Sequence, residues 1–489
     1  MKMKKIVYIQ VILIVLFWSG CRKISDFGDT NADPATTSTP ITSALLTNTL
    51  TVLGTDWGPS IVTGLYCQYF SETVTTDMSC YWQFQFSPMS YYSDILYDLQ
   101  NIINTNTDES GRDVAAINGA NDDQIAIARI LKAYIFWTIT DRWGDIPYND
   151  ALKGDPNVNY DTQEVIYKDM IKELTEAVAQ FTGGKPVKGD IAYNGDIIKW
   201  KKLANSLRML MALNLSKQYP DASGYSAVRF KTALEDPAGS IESNSDNFRF
   251  DFPGGAAFRN PFYDIYDGNR FYGESETFTS LLVDSLGGDP RQSVFGADIN
   301  GNPSTTGVPF GRDRAFIDPW CQQNPTWCLI LAPGYRTQTS PLNLINAASV
   351  LLARTEAADR GWTTENASTL YQEGITASFT QWGLAPPEAS YFANAKVALT
   401  EPGKNLSKIA IQQYIAYYPD GIHGWNTWRR TGYPVLFPAP DATNFPKVIP
   451  RRHMYGTEDY SLTGAGVAVA VERLKPNGDK MDSRVWWDK

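Results

Sequence analysis

The chain has 489 residues, a formal net charge of −10, 43 % hydrophobic residues and 20 % charged ones. This is enough apolar material for a large packed core, and the balance excludes an intrinsically disordered chain. Basic residues are not pooled into one run, which argues against a nucleic-acid partner. Aromatics reach 13 %, with 14 Trp and 26 Tyr, the residue types that build flat stacking platforms.

The first twenty residues read as a lipoprotein signal peptide. Lys2, Lys4 and Lys5 make a positive start, residues 6–18 form an apolar run too short to span a bilayer, and Trp18-Ser19-Gly20 leads into Cys21. A small residue directly before Cys at the end of such a run is the pattern cut by lipoprotein signal peptidase. Cys21 is therefore the expected lipid-attachment residue, although Trp18 stands where an aliphatic residue is usual. No other run of eighteen apolar residues occurs, so lipid is the expected membrane anchor. Residues 21–40, rich in Pro, Thr, Asp and Asn, read as a tether, and residues 41–489 as a single domain.

Residues 41–70 predict a first helix, interrupted at Gly54 and at Gly58-Pro59. Residues 71–88 lose the helical period and predict a loop or strand. Residues 89–103 resume it, with Tyr92, Ile95, Leu96, Leu99 and Ile102 three and four apart. Residues 121–141 are the clearest helix. Asn121, Asp122 and Asp123 supply caps and first-turn charge, and apolar residues then occupy nearly every face, which predicts burial among other helices. Residues 163–181 are its expected partner. Further helices are predicted over 196–218, 226–233, 342–360 and 366–382. Small residues such as Ala128, Ala133, Ala204, Ala347 and Ala348 let these helices approach closely. Pairs of this kind predict a mostly α-helical fold with tetratricopeptide-like packing.

Residues 240–340 are different. They are rich in Gly, Pro, Asn and aromatics, with only 276–286 looking helical. Long irregular segments are usually functional surfaces, so a loop-rich, minor-β ligand-binding region is expected here. Setting Cys21 aside leaves Cys67, Cys80, Cys321 and Cys328, which allow three pairings. In an oxidising compartment disulfides are the expectation, and the close pairs Cys67–Cys80 and Cys321–Cys328 are the simplest.

The two histidines, His423 and His453, are not spaced with another His or Cys as a metal pair would be. No nucleophile elbow, P-loop, zincin or dinucleotide fingerprint occurs. No catalytic residue, metal or cofactor is therefore expected, although scattered Asp and Glu leave a paired-carboxylate glycosidase open. The composition favours recognition. Sugars present apolar C–H faces and rings of hydroxyls, so a binder needs aromatic platforms beside amides, carboxylates and guanidinium groups. The candidate ligand-binding residues are Trp57, Tyr81, Trp82, Arg270, Tyr272, Trp320 and Trp327. A Tyr- and Trp-rich peptide groove would look the same.

The last ninety residues are loop-rich. Residues 411–418 are an apolar, helix-like run broken by Pro419-Asp420-Gly421. Trp425, Trp428, Arg429 and Arg430 follow, then Gly432-Tyr433-Pro434, then Ile449-Pro450-Arg451-Arg452, and finally Val485-Trp486-Trp487-Asp488. Guanidinium planes stack on indoles and fork onto carboxylates, so these residues predict a structural clasp closing the C-terminal part onto the helical pairs.

The order of these motifs, W-x-x-W-R-R-T-G-Y-P-V-L, then I-P-R-R, then V-W-W-D, resembles the SusD/RagB-like outer-membrane lipoproteins of Bacteroidetes. The resemblance covers nearly the whole chain. It includes the Cys21 box and tether, W-G-D-I-P-Y at 143–148, D-P-R at 289–291 and A-R-T-E-A-A at 353–358. It implies a mostly α-helical fold with tetratricopeptide-like pairs and no enzyme activity. It also implies a lipid-anchored nutrient-binding protein on the outer membrane, facing the cell exterior. Such a protein captures an oligosaccharide, or in a minority of cases a peptide, and passes it to a partner TonB-dependent, SusC-like transporter. Arg22 and Lys23 depart from the acidic run expected after the lipidated Cys, and the family's ligand residues follow no motif that carries over. A lipid-anchored glycoside hydrolase and a helical scaffold for another protein are the alternatives.

Overall fold

A computed structural model describes residues 40–489, except 58–59, 155–157, 257 and 475, and at 56 and 57 it describes the backbone only. The expected signal peptide, Cys21 and the expected tether to residue 39 lie outside the described residues. Ile41–Lys489 forms one compact unit. None of its described helices is long and apolar enough to cross a membrane.

Twelve helices of ten residues or more are described. They are α1 (Thr42–Val52), α2 (Tyr97–Thr107), α3 (Asn121–Trp143), α4 (Gln163–Gln180), α5 (Ile197–Asn214) and α6 (Tyr225–Leu234), followed by α7 (Arg314–Gln323), α8 (Ala347–Asp359), α9 (Ala367–Gln381), α10 (Leu406–Tyr417), α11 (Gly421–Thr431) and α12 (Thr457–Arg473). The first six pack mostly in sequence: α1 on α2, α2 on α3, α3 on α4, α4 on α5, α5 on α6. Helix α5 also meets α8, which carries α9 and α10. This is the tetratricopeptide-like arrangement that the small residues of α3, α5 and α8 permit.

Local chemistry sets the helix ends. The Thr162, Asp196, Asn346, Asn366 and Asp420 side chains each accept from a backbone N–H in the first turn of the helix that follows. Each such cap is worth about 1 kcal/mol. Helix α3 is buried around most of its circumference, with Asp122 and Asp123 in its first turn and Arg142 in its last, and it stops at Gly144. Helix α4 is amphipathic and buries Ile166, Met170, Leu174 and Ala177.

The described strands form five short pairs. Phe248–Phe250 runs antiparallel to Leu342–Ile345 and closes the irregular insert at its base. Phe70–Glu72 runs antiparallel to Tyr272–Glu274, with Glu72 opposite Tyr272. This second pair ties the insert to the N-terminal part of the chain.

Three predicted segments differ. Residues 342–345 are strand, because Asn346 caps α8 and so starts the helix later than the apolar run suggests. The insert contains a helix, α7, with Pro319 inside it. Proline removes one helical hydrogen bond, but the Asp313 side chain caps the helix by accepting from Phe316 N at 2.9 Å. In the last ninety residues Gly421–Thr431 is helical, not irregular, and so is Thr457–Arg473. Gly421 allows α11 to approach the helix Ile61–Tyr66 backbone to backbone: a Cβ there would lie 2.2 Å from the Gly64 nitrogen.

Candidate functional site

The indole- and arginine-rich C-terminal motifs assemble first, and they assemble inside. Trp425, Arg429, Arg452 and Trp487 are fully buried. The Arg429 guanidinium lies 3.6 Å from the Trp425 ring centre and 4.7 Å from that of Trp487. It donates to the Asp141 and Arg451 carbonyls at 2.8 Å each. Asp141, near the end of α3, accepts from Trp487 Nε1 at 2.8 Å and from Tyr167. Burial raises the Asp141 carboxyl to about 6 against the pull of Arg429. Arg430 forks onto Glu356, and Arg451 stacks over Trp428 while pairing with Asp488. Arg430 and Arg360 hold the Glu356 carboxyl down at about 2 although burial would raise it. These motifs are a clasp joining α3, α8, α10, α11 and the C-terminus, with Trp425, Trp428 and Trp487 buried in it.

Exposed aromatic side chains gather elsewhere, on three loops that hydrogen-bond to one another. The turn at 76–82 follows the strand Phe70–Glu72 and is held by Glu72, whose Oε2 accepts from Ser79 N at 2.8 Å and Oγ at 3.0 Å. Its Cys80 carbonyl accepts from Thr443 N at 2.7 Å. Asp441 N donates to the Gly311 carbonyl at 3.0 Å, and Asp441 Oδ2 accepts from Asp313 N at 3.0 Å and pairs with Arg312 at 3.1 Å. Gln68 Nε2 donates to the Phe437 carbonyl at 2.6 Å. The loops at 76–82, 309–316 and 437–445 therefore form one surface. It carries Trp82, Phe316, Phe437 and Phe445, which are 54 %, 38 %, 74 % and 89 % exposed. The Arg312 guanidinium stacks 4.1 Å from the Phe316 ring centre. The 270–272 turn adjoins the surface through Thr73, whose N donates to the Phe271 carbonyl at 2.9 Å and whose Oγ1 donates to that of Arg270. Flat rings in solvent beside a guanidinium and a carboxylate are what a polyhydroxylated ligand with apolar faces requires.

The sequence candidates divide on this surface. Trp82 and Arg270 are exposed, and Tyr272 and Trp320 half-buried. Phe316 and Trp320 are four apart on α7 and share a face. Two candidates are corrected. Tyr81 is fully buried in the main core, its ring 6.3 Å from Tyr66 and 6.2 Å from Phe310. Trp327 is 7 % exposed and packs with Val308, Ile317 and Leu329 under α7. A Cβ on Gly273 would come within 2.8 Å of the Trp327 ring, so the indole is wedged against the strand Tyr272–Glu274. The Trp57 side chain lies outside the described residues. Phe437 and Phe445 went unread because no period marks a solvent-facing Phe in a Pro-rich loop, where the prolines at 434, 438, 440 and 446 were the available signal, and Phe316 went unread because α7 was not predicted.

The disulfide expectation is also corrected. Cys67, Cys80, Cys321 and Cys328 are free thiols. Proximity in sequence did not orient the sulfurs toward each other. Cys67 Sγ faces the Gly64 and Gly421 carbonyls at 3.6 and 3.8 Å, and Cys328 Sγ lies 3.9 Å from Gln292 Nε2. The Cys80 thiol lies within the field of the Asp441 and Glu72 carboxylates, and Cys321 packs on the Trp327 cluster. Burial pushes the Cys80 thiol up to about 12 and that of Cys321 to about 11.

Among the described residues no group of three or more His, Cys, Asp or Glu could hold a metal ion. The surface carboxylates Asp313 and Asp441 are committed to a helix cap and an ion pair.

A family model described as starch-binding and associating with the outer membrane, SusD-like, matches residues 33–456. A chitin-binding protein of solved structure is 26 % identical, with a TM-score of 0.75 over 91 % of this chain and 99 % of its own. A chitin-binding SusD homologue from Flavobacterium johnsoniae is 24 % identical, with a TM-score of 0.75 over 92 % and 98 %. A SusD homologue from Parabacteroides distasonis is 21 % identical, with a TM-score of 0.77 over 92 % and 98 %. No match exists among curated proteins.

Proposed function

Since the chain belongs to the SusD-like family of starch-binding, outer-membrane-associated proteins, we propose that it captures an oligosaccharide on its exposed aromatic rim and delivers it to a partner TonB-dependent transporter. The observation that carries this reading is the rim itself: Trp82, Phe316, Phe437 and Phe445 stand in solvent on the 76–82 and 309–316 segments and on the 437–445 loop that bonds to both. Exposed rings of this size are costly unless they meet a partner. Asp441 holds the Arg312 guanidinium over the Phe316 ring, so that cation is fixed beside the platforms. The match to a chitin-binding protein supports a glycan with alternating apolar faces as the substrate class.

The protein acts without catalysis on this reading, because the carboxylates at the rim serve the fold. Cys21 carries the lipid, and the tether to residue 40 holds the rim at the exterior face of the membrane. The test is to titrate residues 22–489 with soluble chito- and malto-oligosaccharides and to analyse the sugars afterwards. Saturable binding with intact sugars is expected. Cleaved products would make the protein a hydrolase, and no binding at millimolar concentration would make it a scaffold.

A further inference from the structure

A polar cavity that shares no lining residue with the rim lies between α2, α3 and α4, with a volume of about 520 Å³. Five charged side chains line it, and four are matched. Arg129 binds Glu173 through two contacts at 2.8 and 3.1 Å and also reaches Glu176 and Gln180. Asp169 accepts from the Tyr148 hydroxyl at 2.9 Å, and Lys153 pairs with Asp150 at 3.4 Å. Lys132 is different. Its ammonium makes no ion pair with a carboxylate of the described residues and donates to a neutral acceptor, Gln100 Oε1, at 2.6 Å.

That acceptor is itself fixed, since Gln100 Nε2 donates to Asn104 Oδ1 at 2.7 Å. The ammonium is thereby aimed, with two of its three donors unspent. Burial lowers the Lys132 pKa against the pull of Glu173. A partly desolvated cation with no carboxylate of the described residues in ion-pair contact gains from an anion that enters beside it. The rest of the cavity is not an anion hole. Phe136 and Tyr148 pack edge to face at 4.8 Å and give it an apolar wall, and Asn104 and Asn149 line it with amides.

We propose that this cavity binds a sugar acid, its carboxylate on Lys132, its hydroxyls on the amides and its C–H face on Tyr148. One ammonium selects one carboxylate, and the volume admits one or two pyranose rings. Nothing in this site depends on the rim, so the two can be tested apart.

The probes are D-glucuronate, its neutral analogue D-glucose, and acetate, titrated into residues 22–489 at low salt. Glucuronate is expected to bind about tenfold more tightly than either control. K132Q is expected to abolish that preference, while K132R keeps it and W82A leaves it unchanged. Melting curves show whether K132Q is folded; if it is not, protection of Lys132 from amine acylation by glucuronate in the parent decides, with no protection overturning the proposal. Equal binding of glucose would show that charge is not read. Equal binding of acetate would show that the sugar is not read, and preference retained in a folded K132Q would place the anion elsewhere; each overturns the proposal.

Discussion

Arg429 shows how a single residue can hold several elements. Its guanidinium is sandwiched between Trp425 and Trp487 and donates to carbonyls from α3 and from the 449–452 segment. Replacing it with Met leaves those acceptors and the Asp141 carboxylate without it. R429M is expected to lose about 3–5 kcal/mol of stability, read from denaturant unfolding. Glu274 is the opposite case. It is fully buried, receives neutral hydrogen bonds from Thr279 at 3.0 Å and Gln292 at 3.2 Å, and burial pushes it up to about 8. The folded state therefore keeps a proton that the unfolded chain releases near its ordinary value. Stability from this group is present below about pH 4.5 and is lost as pH rises toward 8, by roughly 1.4 kcal/mol per pH unit at most. E274Q is expected to flatten that slope and to be the more stable protein at pH 8; an unchanged slope would mean the carboxyl is ionised in the fold. Residue chemistry of this kind was partly legible. Two adjacent arginines among indoles in an acidic chain announce buried ion pairs, whereas Glu274 looks like any surface glutamate until Gly296 and Cys328 are placed beside it.

At the scale of elements, α7 separates what the sequence could not. It carries Phe316 outward and Ile317 inward, and Trp327 beneath it fills the space above Gly273. Trp82 and Trp327 had equal standing in the sequence because both were aromatic residues in irregular segments. Which one is covered depends on the strand Tyr272–Glu274, far away in the chain. The two should part on substitution. W327A is expected to cost about 3–5 kcal/mol as a core truncation, while W82A should stay within about 0.5 kcal/mol of the parent. Equal losses would place Trp82 in the core. The long helices were legible from period and caps. Helix α11 was not, because its glycines and tryptophans read as a loop until the Asp420 cap and the Gly421–Gly64 contact are seen.

At the scale of the whole molecule, a helical body supplies rigidity, the clasp locks its C-terminal end, and the insert and the 437–445 loop bring rings to one surface. The family and the helical fold were legible because motif order survives where single motifs do not. The rim was only half legible, since it is assembled from loops more than 350 residues apart joined by backbone bonds such as Thr443 N to the Cys80 carbonyl. The most direct measurement is a calorimetric titration of residues 22–489 and of the W82A/F445A double variant with soluble chito-oligosaccharide. The account predicts saturable binding by the parent. It predicts binding at least about fivefold weaker in the variant, at about 0.5–1.5 kcal/mol per lost ring, with the same melting temperature. Undiminished affinity in the variant would contradict it.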